Sequence, residues 1–157
     1  MSHTVTVEEA TEATSGLLEA LNALIPQLSR SASPMSTSDL TEIVSSPASH
    51  LLIARVAGHP PVDAATRGGQ VVGMLTLVAF RIPTGVRAWI EDVVVDQKIR
   101  GARIGEALVV EAIRLAMSLG ARTVDLTSRP SRTAAHKLYT RSGFTPRETS
   151  VYRWTGG

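Results

Sequence analysis

The sequence over Glu91–Leu108 reads E-D-V-V-V-D-Q-K-I-R-G-A-R-I-G-E-A-L, an order of residues that suits anion binding. A hydrophobic strand runs into a short basic turn containing Gly101, and the turn opens directly into an amphipathic helix that begins near Ile104. Such a turn directs backbone N–H groups and the positive end of a helix dipole at one point, which suits a pyrophosphate. Arg100 and Arg103 could add charge-assisted bonds to phosphate oxygens. The same residues could also form an ordinary strand-to-helix turn with solvated arginines, and the glycine spacing alone does not exclude this alternative.

Two carboxylates open the same stretch. Glu91 and Asp92 are neighbours on the predicted strand, so their side chains are expected on opposite faces of the sheet. One of them then faces the pocket beside the turn, where a carboxylate can accept a proton. The alternative is a pair of solvated or ion-paired acids.

The elements that would position these residues follow the order β-α-α-β-β-β-α-β-α-β. Strands are predicted around residues 5–7 and over 51–56, 71–80, 88–95, 123–127 and 151–154. The unit over residues 88–127 should form a parallel pair with a right-handed crossover, and the two strands before it should be antiparallel neighbours. We therefore expect one α/β (α+β) domain, residues 1–157, with helices on both faces of a mixed sheet.

Local signals mark the helix ends. Pro26 is expected to end the first helix. The second helix is expected to start near Ser38 or Asp39, with Glu42 as the capping-box partner of Asp39. Gly120 and Gly143 are expected to stop the last two helices, because glycine is the preferred residue after a helix C-terminus.

Composition excludes several classes of protein. The 157 residues are 43% hydrophobic and 19% charged, which is ordinary for a folded domain. No apolar run approaches the roughly 20 residues of a membrane span, and the polar, acidic start is unlike a signal peptide, so we expect a cytoplasmic protein without membrane contact. The absence of cysteine excludes disulfides, thiolate–zinc sites and a cysteine nucleophile. The histidines lie at no metal-ligand spacing, and we expect no metal.

The charge is distributed unevenly along the chain. Residues 1–50 contain six acids and one base, whereas residues 97–141 contain nine bases and three acids. A basic region attracts anions, including nucleic acid. Aromatic residues are only 4% of the chain and no basic run alternates with stacking side chains, so a phosphorylated small molecule is favoured over nucleic acid.

The turn resembles the acetyl-CoA signature of the GNAT superfamily of N-acetyltransferases, whose core is Arg/Gln-x-x-Gly-x-Gly/Ala. In this chain the core reads Arg100-Gly101-Ala102-Arg103-Ile104-Gly105. Arg103 stands where the family usually has glycine. A side chain there must point away from the pyrophosphate or contact it, and either is tolerable if the backbone is not left-handed.

A second motif lies downstream. Residues 132–144, R-T-A-A-H-K-L-Y-T-R-S-G-F, are similar to the family's Asn-x-x-Ala-x-x-Leu-Tyr-x-x-x-Gly-Phe. The matching positions are Ala135, Leu138, Tyr139, Gly143 and Phe144, while Arg132 replaces the common asparagine. The two motifs flank a strand, and the element order fits the family throughout, so the resemblance covers most of the chain. It implies the GNAT fold, with a mixed central sheet of six to seven strands.

The resemblance also implies an activity. It indicates an N-acetyltransferase that moves the acetyl group of acetyl-CoA directly to a primary amine on a small molecule, a peptide N-terminus or a lysine. By the same resemblance Tyr139 is the general acid for the CoA sulfur, although it could simply pack in the core. Glu91 is the candidate base, with Asp92 as a substrate ligand or a charge at the edge of the site. The implied CoA contacts are Val93, Val94, Val95, Arg100, Gly101, Ala102, Arg103, Ile104, Gly105, Glu106 and Arg132.

Two questions stay open at this point. Similar proteins commonly form homodimers, but the sequence does not fix the oligomeric state. The departures at Arg103 and Arg132 also leave an alternative function, a catalytically inactive CoA-binding domain that serves as a sensor or interaction module.

Overall fold

The computed structural model describes residues 4–57, 69–99 and 103–156. Its elements are β1 (Val5–Glu9), α1 (Ser15–Leu28), α2 (Thr37–Ser45), β2 (Ser49–Val56), β3 (Gln70–Ile82), β4 (Gly85–Val95), a 3₁₀ turn (Gln97–Ile99), α3 (Ile104–Ser118), β5 (Ala121–Asp125) and α4 (Thr133–Arg141). The chain divides into two compact units, Met1–Thr127 and Ser128–Gly157, and α4 is the helix of the second. The expectation of a single domain stays a prediction.

The sheet belongs to the first unit and has the order β1-β2-β3-β4-β5. The pairs β1–β2, β2–β3 and β3–β4 are antiparallel, and β4–β5 is parallel, which confirms the predicted strand–helix–strand unit. Within the described ranges the sheet has five strands rather than six or seven. The predicted strand Val151–Trp154 is wrong: the segment has no strand pairing and Trp154 is 88% exposed, so its alternating pattern has no buried face to pack against.

Helices cover both faces of the sheet, as predicted. On one face Leu17, Leu21 and Leu24 of α1 form a core with the β3 and β4 side chains Met74 and Val94. On the other face Gly73, one residue before Met74, lies against the first turns of α3. Because successive strand residues point to opposite faces, α1 and α3 lie on opposite sides of the sheet.

Two helix boundaries differ from the predictions. The first helix continues past Pro26 to Leu28, and the backbone N–H of Ser29 still donates to the carbonyl of Ile25 at 2.9 Å. Proline removes only its own donor, which a last turn tolerates. The second helix begins two residues earlier than Asp39, and its capping box joins Ser36 to Asp39 instead of Asp39 to Glu42.

The α2 cap uses both partners. The backbone N–H of Asp39 donates to Ser36 Oγ at 3.1 Å, and the backbone N–H of Ser36 donates to Asp39 Oδ2 at 2.8 Å. Hydrogen bonds from the Ser36 side chain and backbone lower the pKa of Asp39 below 3.8.

None of the helices in the described part of the chain has the length and hydropathy of a membrane span.

Candidate active site

The sheet opens along one side of β4. The parallel ladder between β4 and β5 ends at the pair Trp89 and Asp125, so β4 has no β5 partner from Ile90 to Val95 among the residues that the structure describes. On its other side β4 stays paired with β3 as far as Val95. The C-terminal half of β4 therefore presents backbone N–H and C=O groups toward a gap, where an extended chain with amide groups can pair with them.

A β-bulge interrupts β4 at the start of this half. Thr76 pairs with Glu91 and Met74 pairs with Val94, so the single residue Leu75 faces both Asp92 and Val93. Asp92 has a φ of 52°, in the left-handed region. Aspartate is one of the few side chains that adopt this conformation with any frequency. Because of the bulge, the side chains of β4 do not simply alternate between the two faces of the sheet at Glu91 and Asp92, as the sequence analysis expected.

The bulge also decides which side chains share a face. Val94 packs with the α1 core, and Glu91 lies on the same face because its cross-strand partner Thr76 pairs in turn with the core residue Leu51. In a regular strand, residues three apart would point to opposite faces. The extra residue thus keeps Val94 buried while Glu91 stays exposed on the α1 side of the sheet.

Glu91 has a hydrogen bond to a neighbour on its own strand. The indole Nε1–H of Trp89 donates to Glu91 Oε1 at 2.8 Å. Residues two apart on a strand share a face, so the two side chains can meet without distorting the backbone. The sequence analysis missed Trp89, although its spacing from Glu91 was a signal that could have identified it.

The turn after β4 is held by three hydrogen bonds. Asp96 Oδ1 accepts from the backbone N–H of Lys98 at 3.0 Å, and the carbonyl of Asp96 accepts from Ile99 at 3.0 Å. The side chain of Gln27, near the end of α1, accepts from the backbone N–H of Gln97 at 2.9 Å. The two bonds to Asp96 close the turn, and the bond between Gln97 and Gln27 attaches the end of β4 to α1. The next three predicted site residues, Arg100, Gly101 and Ala102, lie outside the described residues.

The N-terminus of α3 lies close against the sheet because of Gly73. A Cβ at this position would lie 3.1 Å from the carbonyl oxygen of Val94, 3.2 Å from Leu108 Cδ1 and 3.4 Å from Ile104 Cγ2. These contacts are tighter than a Cβ normally makes, so a side chain here would require its neighbours to move by a few tenths of an ångström. Gly73 therefore brings the first turn of α3 beside the open half of β4, a role that the sequence analysis did not identify.

Arg103 is the N-cap residue of α3, and its backbone is left-handed. Its φ of 52° and ψ of 27° lie in a region that glycine adopts without strain, so the condition given above for tolerating a side chain at this position is not met. Its side chain makes no cap hydrogen bond. It is 77% exposed, with Nη1 3.9 Å from Glu106 Oε1.

The first turn of α3 retains donors for a ligand. The carbonyl of Arg103 accepts the first helical bond, from Ala107 at 3.0 Å. The backbone N–H groups of Ile104 and Gly105 precede that bond and have no acceptor within the helix. Together with the helix dipole they favour an anion at this end of α3.

In the second unit, Tyr139 and Phe144 belong to the motif that ends α4. The N–H of Phe144 donates to the carbonyl of Tyr139 at 2.9 Å, and that of Gly143 donates to Thr140 at 3.1 Å. Gly143 has a φ of 93°. This is a Schellman cap, and the Tyr139 and Phe144 rings provide its apolar contact, with centroids 5.9 Å apart at 65°. The cap explains why the motif spaces Tyr, Gly and Phe as it does.

Tyr139 is a half-buried phenol. Burial raises its pKa above 10.0, and the nearby positive charge of Arg132 offsets part of that effect. The phenol is therefore a proton donor at neutral pH. Arg132 is the N-cap residue of α4 and, like Arg103, provides no side-chain cap.

The predicted site residues thus fall into two sets. The structure brings the β4 segment Val93–Val95 and the α3 segment Arg103–Glu106 together around Gly73 in the first unit, while Glu91 lies earlier on β4 and on the α1 face of the sheet. Tyr139 and Arg132 belong to the second unit. Residues 4–57, 69–99 and 103–156 contain no cluster of three His, Asp or Glu side chains that could hold a metal ion.

Comparison with known proteins identifies relatives over most of the chain. Residues 26–144 match the family described as the acetyltransferase (GNAT) family. The aminoalkylphosphonate N-acetyltransferase of Salmonella typhimurium is 34% identical over 95 residues, which are 58% of this chain and 58% of that protein. The chain thus matches little more than half the length of this relative.

Solved structures share the fold. A putative acetyltransferase from Agrobacterium tumefaciens has a TM-score of 0.78 at 22% identity, over 96% of this chain and 99% of that one. An aminoglycoside N-acetyltransferase solved in complex with CoA has a TM-score of 0.74 at 15% identity, over 99% of this chain and 97% of that one. At these identities the likeness establishes the fold and leaves the substrate open.

Proposed function

Since the chain belongs to the acetyltransferase (GNAT) family, we propose that it is an acetyl-CoA-dependent N-acetyltransferase that transfers the acetyl group directly to a primary amine. The family match over residues 26–144 carries this proposal, because it includes the bulged β4 strand and the start of α3. The open half of β4 and the first backbone N–H groups of α3 supply the two kinds of contact that an acyl-CoA requires.

The donor would bind along β4 and at the start of α3. The pantetheine arm is extended and carries amide groups, and we assign it to the backbone of Val93, Val94 and Val95. The pyrophosphate is assigned to the first N–H groups of α3. The other proposed CoA contacts are Arg100, Gly101, Ala102, Arg103, Ile104, Gly105, Glu106 and Arg132.

The reaction needs a neutral amine, a polarised thioester carbonyl and a proton for the leaving thiolate. Glu91 takes the proton of the attacking amine, directly or through water. A β4 backbone N–H stabilises the oxyanion that forms when nitrogen bonds to the acetyl carbon. As the carbon–sulfur bond breaks, Tyr139 gives its phenolic proton to sulfur and is reprotonated from solvent. This chain has no cysteine, so attack in a ternary complex is the simplest route.

The raised pKa of Tyr139 supports its role as an acid, because the phenol keeps its proton at neutral pH. Its ring contact with Phe144 supports a second role in closing α4. The two roles are compatible, since the contact uses the ring and the proton transfer uses the hydroxyl group. A variant that removes only the hydroxyl group, Tyr139→Phe, distinguishes the proton-donating role from the packing role.

We propose small-molecule primary amines as the acceptor class, because the curated relative is named for an aminoalkylphosphonate. A peptide N-terminus and lysine remain further candidates. Three acids of residues 1–50 already have partners. Glu8 lies 2.7 Å from Arg55 and Glu9 lies 2.7 Å from His50, and Asp39 belongs to the α2 capping box. The exposed acids Glu12, Glu19 and Glu42 are then the ones available to favour a cationic amine.

Thiol release from acetyl-CoA tests the proposed function. We expect release that depends on an added amine, measured over a panel that includes an aminoalkylphosphonate, cationic polyamines, a neutral amine and a lysine peptide. Neutralising Glu19 should reduce the preference for cationic over neutral amines, and an unchanged ratio would contradict that part of the proposal.

A second candidate function is a CoA-binding domain without catalysis, and the left-handed Arg103 favours it because the residue departs from the family's glycine. Calorimetric binding of CoA with no thiol release across the whole panel would support this alternative. Amine-dependent thiol release would exclude it.

A further inference from the structure

Trp89 and Glu91 form a side-chain pair at the boundary between the closed and open parts of the sheet. Trp89 is the last residue of β4 that pairs on both sides, with Val78 of β3 and Asp125 of β5. Glu91 follows two residues later, where β5 pairing has ended and the bulge begins. The tryptophan is therefore anchored in the closed part of the sheet, whereas the glutamate lies at the start of the open part.

The bond between them restrains the carboxylate. A glutamate side chain has three rotatable bonds, and an exposed one has no packing to select among its rotamers. An indole has two side-chain torsions and a single N–H that can only donate. With Nε1 2.8 Å from Oε1, the indole fixes one carboxylate oxygen and leaves the other for a proton.

The surroundings of Glu91 supply few competing charges. On its face β3 contributes Thr76 and Val78, and α1 contributes the apolar core residues. From β5 the charged neighbour is Asp125, whose Oδ2 lies 3.8 Å from Arg87 Nη2. On β4 the neighbouring charges are Arg87 and the exposed Asp92. Within the described residues of the first unit, the neutral indole N–H is the group that donates a hydrogen bond to the Glu91 carboxylate.

We propose that Trp89 is a positioning residue for the reaction: its indole N–H holds the Glu91 carboxylate in the orientation that accepts the amine proton. This inference rests on the proposed function, which gives Glu91 the role of base. Trp89 itself does not exchange a proton. Its contribution is to keep the reacting oxygen within hydrogen-bonding reach of the amine, about 2.6–3.2 Å for a general base.

A double-mutant cycle tests whether Trp89 acts through Glu91. Trp89→Phe keeps an aromatic ring and removes only the donor and the larger ring area. We expect it to lower kcat about ten- to a hundredfold, the size of one hydrogen bond to a charged group, and to change KM for acetyl-CoA less than about twofold. In the Glu91→Gln background the same substitution should change kcat by less than about twofold.

The chain offers a matched control, because its other tryptophan is Trp154, which is 88% exposed. Trp154→Phe should leave kcat and KM unchanged. The melting temperature of each variant shows whether Trp89→Phe acts through loss of structure. An equal loss of kcat from Trp89→Phe in both backgrounds would overturn the proposal, because Trp89 would then act without Glu91.

A spectroscopic measurement keeps the test independent of turnover and of the folding of Trp89→Phe. In the Trp154→Phe background the indole of Trp89 is the one tryptophan fluorophore of this chain. We expect Glu91→Ala to shift its emission, because the indole loses a charged hydrogen-bond acceptor, and Glu148→Gln to leave it unchanged. No shift with Glu91→Ala would mean that the bond does not form in solution, and the proposal would fail.

The outcomes separate this inference from the proposed function. If the wild-type protein shows no amine-dependent thiol release, the acetyltransferase activity itself is wrong. If it turns over but Glu91→Gln retains full kcat, the base assignment is wrong and the positioning role fails with it, whatever the fluorescence shows. Support requires activity in the wild type, loss of kcat in Glu91→Gln and a non-additive cycle.

Discussion

Replacing Arg103 by glycine is expected to give a more stable protein than replacing it by alanine, the reverse of the usual order in a helix interior. Arg103 has a φ of 52° at the N-cap of α3. Both substitutions remove the same positive charge and the same 3.9 Å ion pair with Glu106, so the comparison isolates the backbone. The difference then depends on whether a Cβ is strained at this position.

The magnitude follows from two opposing terms. A Cβ in the left-handed region costs about 1–2 kcal/mol, which alanine retains and glycine avoids. Glycine loses more conformational entropy on folding, which costs about 0.5–1 kcal/mol. Arg103→Gly should therefore exceed Arg103→Ala in the free energy of unfolding by up to about 1.5 kcal/mol, and by about 0.75 kcal/mol at the middle of the two ranges.

Urea denaturation followed by circular dichroism measures this difference, provided that the two variants have equal m-values. A matched pair at Arg114 provides the control, because this exposed residue lies inside α3 with ordinary helical geometry. There alanine should be the more stable by about 1 kcal/mol. If alanine is also the more stable at Arg103, the backbone there is not left-handed and our description of the α3 N-terminus is wrong.

Three further predictions concern Gly73 and Tyr139. Gly73→Val should lower the free energy of unfolding by about 1–3 kcal/mol and raise KM for acetyl-CoA, because added methyl groups push α3 away from β4; unchanged stability in urea would contradict the close approach. Tyr139→Phe should lower kcat roughly a hundredfold or more while calorimetry shows the same acetyl-CoA affinity, since only the proton to sulfur is lost; full turnover would mean that the ring only packs on Phe144. Because the pKa of Tyr139 is raised above 10.0, its protonated form stabilises the folded state, and that contribution is complete below pH 10 and is lost as pH rises through the folded-state pKa. Denaturation at pH 8 and pH 11 should show a larger alkaline loss in the wild type than in Tyr139→Phe, and an equal loss would refute the burial of the phenol.

Regular features of the fold were predictable from local patterns. The parallel β4–β5 pair followed from the strand–helix–strand order, and the ends of α3 and α4 followed from Gly120 and Gly143. These features depend on periodicity, chain connectivity and glycine, all of which can be read from a few neighbouring residues.

The irregular features of the site were not predictable in the same way. The bulge at Asp92 depends on the register that β3 imposes, and the left-handed Arg103 depends on how α3 docks beside Gly73. Both are set by contacts between distant segments, which override local preference. The alternating pattern of Val151–Trp154 predicted a strand that the structure does not contain. Such a pattern forms a strand only when it has a partner strand and a face to bury.

A single-turnover experiment with isotopically labelled acetyl-CoA tests the central claim most directly. The protein in excess over labelled donor is mixed with an accepted amine, and the label is followed on protein, amine and acetate. Direct transfer predicts that label moves to the amine nitrogen as free thiol appears, with none on the protein before the amine is added. Label that accumulates on the protein, or that appears only as acetate, would contradict direct N-acetylation in a ternary complex.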